Sequence, residues 1–181
     1  RLVSEKINKQ SLDLFFRFFP GGLDVFYKRL GQKLSDMDFL VSLINALGQP
    51  AAPPALNILE HIYLCANELI KLEVLKAMRQ LKQVDTVFLA RQLSTDSPLL
   101  RKKLLSILIL DIQVREKALA LLFKTPSFLG RKNNLLIENI QIVSDLRLIE
   151  AASRIRALAG KRFFWNRELR NKAKQVLEVK I

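Results

Sequence analysis

At 181 residues, half of them hydrophobic and only 6 Gly and 6 Pro among them, the chain is long enough for one domain with a real core, and its composition excludes disordered and collagen-like classes. Charge is its one abnormal property: 30 Lys and Arg against 17 Asp and Glu leave +13, where a small soluble domain carries a magnitude of about 2 to 8. One cysteine, Cys65, excludes an internal disulfide, and one histidine excludes a His/Cys metal cluster.

The excess charge grows along the chain, +1 over residues 1–60, +5 over 61–130 and +7 over 131–181. It therefore belongs to folded segments and not to a tail, and it speaks of partner sign and steering, not of fold. The sequence opens at Arg1 with no signal-peptide layout, so a piece of a larger protein is expected. No run approaches the roughly 18 apolar residues of a membrane span; "LLSILIL" stops at Asp111. A soluble, cytoplasmic piece is the expectation.

In chain order, "SLDLFFRFFPGGLDVFYKRLGQKLSD" predicts an amphipathic helix, a Pro-Gly-Gly break and a second helix from about Leu23 to Leu34. Residues 1–35 are read as capping helices, with Phe15, Phe16, Phe18 and Phe19 covering the open end of a core. From residue 36 a repeat sets in. "NELIKLEVLKAM", "SPLLRKKLLSIL", "NNLLIENIQIVS" and "NRELRNKAKQVL" each open on Asn or Ser, at Asn67, Ser97, Asn133 and Asn166, a residue able to cap a first helical turn. Apolar residues follow at fixed steps: Ile70, Leu100, Leu136 and Leu169, then Val74, Leu104, Ile140 and Ala173, then Ala77, Ile107, Val143 and Val176. That is the buried stripe of an amphipathic helix.

A second unit alternates with the first: "LGQPAAPPALNIL", "LKQVDTVFLARQL", "ILDIQVREKALAL" and "VSDLRLIEAASRI" each give an apolar anchor, a polar turn and a helical pattern. Pro50, Pro53 and Pro54 fall where a missing N–H costs little. Hairpins are predicted near 36–64, 68–94, 98–124 and 134–159, neither helix of a pair able to bury its stripe alone. At the C-terminal end, Phe163, Phe164 and Trp165 are expected to pack as a closing cluster.

"ALGQPAAPPALNIL" and "DSPLLRKKLLSIL" carry a resemblance to bacterial HEAT-like repeats, the kind also seen in phycobilisome-lyase-type proteins. The likeness covers about Asp36 to Val179. It departs where the Arg of the first-helix start becomes Lys71 and Ile137, and in the longer loop "KTPSFLGRKN". The resemblance implies an all-α fold, a right-handed superhelix of about four hairpins with atypical N-terminal helices and a closing C-terminal helix, in one domain. It further implies that second helices line the concave face, which would bring Arg91, Lys117, Arg154 and Arg156 there. Arg101, Lys102, Lys103, Arg170, Lys172 and Lys174 would start first helices near one edge, with Arg101 tucked between repeats and Lys102 and Lys103 facing solvent.

Catalytic chemistry is hard to find. His61 and Cys65 are four apart on one helix, and Glu60 or Glu68 could orient the imidazole, but a mid-helix location without a strained turn argues against a nucleophilic pair. No phosphate-cradling Gly loop and no convincing carboxylate pair stands in the sequence. Some DNA glycosylases resemble HEAT stacks, yet the one tryptophan here has no acid nearer than Glu168. No catalytic, metal or cofactor site is expected, and the expected function is a non-enzymatic interaction module. Its partner is expected to be a protein or sister domain with an acidic surface. Nucleic acid is the alternative, and an anionic membrane surface the third. The candidate binding residues are Arg91, Lys102, Lys103, Lys117, Arg154, Arg156, Lys172 and Lys174.

Overall fold

The structure is a computed structural model that describes residues 9–18, 23–33, 36–49, 54–81, 84–124 and 130–178. All regular structure among them is helical. The chain divides into two compact units, residues 1–85 and 86–181. That division falls between the two helices of the second predicted hairpin. The Pro-Gly-Gly break, Phe19, the side chain of Phe16, Pro50, Pro53 and residues 125–129 of the "KTPSFLGRKN" loop lie outside the described residues.

The first unit holds α1 (Lys9–Phe18), α2 (Leu23–Gln32), α3 (Met37–Leu47), α4 (Pro54–Cys65) and α5 (Glu68–Gln80). Asp36 caps α3 by accepting from Phe39 N at 3.1 Å, and Asn67 caps α5 by accepting from Ile70 N at 3.1 Å. Each removes one of the orphan donors of a first turn. α3 packs on both α4 and α5, and α4 on α5, around the buried side chains of Leu43, Ile44, Ile58, Ile62, Val74 and Met78. Gly48 ends α3 against α5: a Cβ placed there would stand 2.7 Å from the Ala77 Cβ. α1 lies on α3 and buries Leu12, while Phe18 is exposed. Phe15 reaches Phe26 of α2, with ring centroids 6.2 Å apart.

The second unit holds α6 (Thr86–Gln92), α7 (Pro98–Leu108), α8 (Ile112–Phe123), α9 (Asn133–Asp145), α10 (Ala152–Ala159) and α11 (Arg167–Glu178). α6 packs on α7 and α8, α7 on α8 and α9, α8 on α9, α9 on α11, and α10 on α11. The predicted stripe is buried at every position, from Ile70 and Leu100 through Val143 and Val176, because spacing of this kind keeps one side of a helix apolar along its length.

Of two further predicted caps, one forms as expected and the other does not. Ser97 caps α7 by accepting from Leu100 N at 3.2 Å. Asn133, however, is already the first residue of α9, because the turn at Gly130–Lys132 winds directly into the helix. Its side chain points sideways and donates to Trp165 O at 2.7 Å and to Asn166 Oδ1 at 3.2 Å. The two asparagines thus link the starts of α9 and α11 while buried, where an unpaired amide would be costly. Gly130 permits this: its φ is +76°, and a Cβ would crowd both Asn133 and Trp165.

Candidate functional site

Within residues 86–181 a cleft of about 920 Å³ opens between α6, α8 and the start of α9. Ala90, Leu93, Val114, Leu121, Leu122 and Leu135 give it an apolar lining. Four cations border it: Arg91 at the end of α6, Lys117 on α8, and Arg131 and Lys132 in the turn before α9. Arg91, Lys117, Arg131 and Lys132 form no ion pair among the described residues. Asp96 and Glu138 are the carboxylates of the lining.

Beneath lies Arg101 of α7, which also lines the cleft and is only 1% exposed. Its Nη1 donates to Asn139 Oδ1 at 2.7 Å, and its Nη2 is paired with Glu138, both residues on α9. Asn139 in turn donates from Nδ2 to the Leu122 carbonyl of α8 at 2.7 Å. One buried guanidinium therefore ties three helices together. Its Nε is buried with no partner among the described residues, an uncompensated donor at the base of a basic cleft.

The lining carries hydroxyls at Thr86, Ser94 and Thr95, and Ser94 Oγ is spent on the Arg91 carbonyl at 3.2 Å. The protein's one histidine is His61, in the other unit, where its ring meets Tyr27 edge-on at 4.9 Å. Cys65 is exposed at the end of α4. The cleft offers cations and an apolar wall, a lining that suits binding.

Of the residues singled out from the sequence, Arg91 and Lys117 meet in this cleft. Lys102 is ion-paired with Asp145 across α7 and α9. That pairing, first by its hydrogen bond and then by Gln141, holds the Asp145 carboxyl below its ordinary value. Arg154 lies outside the lining and pairs with Glu116 of α8, lowering that carboxyl in the same way. Arg115 pairs with Glu150, whose carboxyl is lowered first by a backbone N–H and then by Arg115. Lys103 is partly exposed and Arg156 and Lys174 are fully on the surface. Lys172 donates to Gln175 Oε1 at 3.5 Å. Arg131 and Lys132 are the residues that sequence reasoning missed. A basic pair directly after a glycine and before a helix start was the available signal.

No protein-family model, curated protein or solved structure matches the chain.

Proposed function

We propose that this chain is a HEAT-like, non-enzymatic interaction module whose second unit binds an acidic segment of another protein or domain. The observation that carries the reading is the cleft: an apolar lining with Arg91, Lys117, Arg131 and Lys132 around it and Arg101 beneath. Such a site favours a segment that alternates carboxylates with aliphatic or aromatic side chains. The apolar groups would supply affinity and the cations orientation and encounter rate. The solenoid reading draws support from the order of packing. First helices α7, α9 and α11 lie on one another in succession, and buried polar links at Arg101–Asn139 and Asn133–Asn166 join consecutive ones.

Selection of displayed peptides on the immobilised chain tests the proposal. Recovered peptides are expected to share an acidic-apolar pattern, and the variant Arg91→Glu/Lys117→Glu is expected to lose them. Peptides without that pattern, or equal binding by the variant, would count decisively against the cleft.

A nucleic-acid reading is favoured by one observation: residues 86–181 hold 19 basic against 8 acidic residues, +11 of the total. Anisotropy with labelled single- and double-stranded oligonucleotides separates the two. A protein that neutralises 6–10 phosphates loses about a thousand-fold or more in affinity between roughly 50 and 200 mM salt. Weak binding even at the lower salt would leave the charge to a protein partner.

A further inference from the structure

The segment 161–167 reads Lys-Arg-Phe-Phe-Trp-Asn-Arg. α10 ends before Gly160, Phe163 is extended (φ −64°, ψ 144°), and Phe164–Asn166 form one 3-10 turn that leads into α11. Packing of the aromatic cluster was the expectation from sequence, and the structure corrects it. The turn directs Asn166 inward to Asn133, so the phenylalanines are left outside, Phe163 64% and Phe164 83% exposed. They are not loose. Phe163 lies parallel to Trp165 with centroids 4.6 Å apart, and Phe164 meets the same indole edge-on at 5.0 Å. The half-buried Trp165 is thus a base on which two projecting rings are held. Lys161, Arg162 and Arg167 flank them with no ion pair among the described residues, and Glu168 is the one carboxylate alongside.

We propose that this aromatic-basic tip inserts into the interfacial layer of an anionic lipid surface, a binding site that shares no residue with the cleft. Three features select lipid. Two projecting rings are far smaller than the roughly 800 Å² a protein partner buries on each side of a standard interface, whereas a fluid headgroup layer needs no matching pocket. Phenylalanine has no polar handle, so both rings can leave water completely, while the flanking cations stay at headgroup level. Finally, Trp165 already stacks on Phe163 and meets Phe164 edge-on, so its indole is engaged within the tip and does not stand free as a single-strand stacking platform requires. Anionic headgroups suit the flanking charge, since each Lys or Arg near such a surface strengthens attachment and salt weakens it.

The test uses the full chain with two vesicle preparations, phosphatidylcholine alone and phosphatidylcholine mixed with phosphatidylserine. It reads co-sedimentation and the emission of Trp165, the protein's one tryptophan. Binding to the mixed vesicles with a blue shift of Trp165 is expected, with little binding to the neutral ones. Phe163→Ser/Phe164→Ser should lower partition about tenfold or more. Both positions are exposed, so the fold should persist, which a helical circular dichroism spectrum checks. Arg162→Glu/Arg167→Glu should also weaken binding, while Arg91→Glu/Lys117→Glu, an equal change in net charge, should leave the Trp165 shift in place. Equal loss in both charge variants, or wild-type partition by the phenylalanine variant, would overturn the proposal, because bulk charge would then be the cause. So would Trp165 quenching by a single-stranded RNA oligonucleotide with no response to vesicles.

Discussion

Arg101 shows how one residue can be structural and still line the candidate cleft. Its charge is buried but satisfied on two nitrogens, by Asn139 and Glu138. Asn139 matters more than the carboxylate because it is buried and serves two partners, Arg101 and the Leu122 carbonyl. Asn139→Ala removes the bonds to Arg101 Nη1 and to the Leu122 carbonyl and should cost about 2–4 kcal/mol. Glu138→Gln, at a side chain 44% exposed, should cost less than about 1 kcal/mol. Urea unfolding midpoints of the two variants check the ordering. A second residue sits in a less comfortable conformation: Arg147, with φ 54°. Leu148 N donates to Val143 O at 3.1 Å and Arg147 N to Ser144 O at 3.0 Å, a Schellman closure with a long side chain where glycine is usual. Arg147→Gly relieves the left-handed strain, worth about 1–2 kcal/mol, but loosens the unfolded chain by about 0.5–1 kcal/mol. A stability gain of up to about 1 kcal/mol is therefore expected by thermal melting.

At the scale of elements, helix contacts are set by what stands at their ends. Gly48 has an ordinary helical conformation (φ −73°), so alanine would suit its backbone. The obstacle is α5, because the new methyl would press on Ala77 Cβ at 2.7 Å and Cα at 2.9 Å. Overpacking of about 1–3 kcal/mol should outweigh the entropic gain of about 0.4–1 kcal/mol, leaving Gly48→Ala less stable. The end of α7 is held differently. Arg115 donates from Nε at 3.0 Å and Nη2 at 2.8 Å to the Ile109 carbonyl, while its third nitrogen, Nη1, pairs with Glu150. Arg115→Met should cost about 1–2 kcal/mol, since two bonds to a helix-end carbonyl go with it. Glu150→Gln should cost under about 1 kcal/mol, and equilibrium unfolding of both separates the contributions. The helices were legible in the sequence because their stripes repeat at helical spacing, and Asn67 and Ser97 cap as local pattern suggests. Asn133 was not, because its side chain answers to Asn166, a residue 33 positions away that no local rule places beside it.

Taken whole, the chain keeps its charge in one part. Residues 1–85 hold 11 basic and 9 acidic residues, +2, and residues 86–181 hold the remaining +11. That imbalance was legible as a gradient. The cleft was not, because α6, α8 and the turn before α9 contribute to it from separate stretches, and only packing brings Arg131 and Lys132 to Arg91. The units should also answer acid in opposite senses. Asp145, Glu150 and Glu116 of the second unit have carboxyls held low. Their stabilisation is present above the unfolded carboxylate value, about pH 4, and is lost as pH falls through the depressed folded values. Glu60 of the first unit is raised, first by burial and then by Asp85, so protonating it favours the folded form and its contribution improves as pH falls. Acid should therefore weaken the second unit first. Trp165 emission follows that unit and Tyr27 and Tyr63 the other, so two fluorescence melts at descending pH check the order. Simultaneous loss at every pH would contradict it.

The exposed thiol of Cys65 has a practical consequence. It is the protein's one cysteine, as Trp165 is its one indole, and the division of the chain assigns them to different units. A maleimide dye on Cys65 and the native Trp165 thus form a donor–acceptor pair for resonance energy transfer, with no residue added or removed. Titrating such a labelled protein with peptide or vesicles would register any change in separation between the two units as the ligand binds.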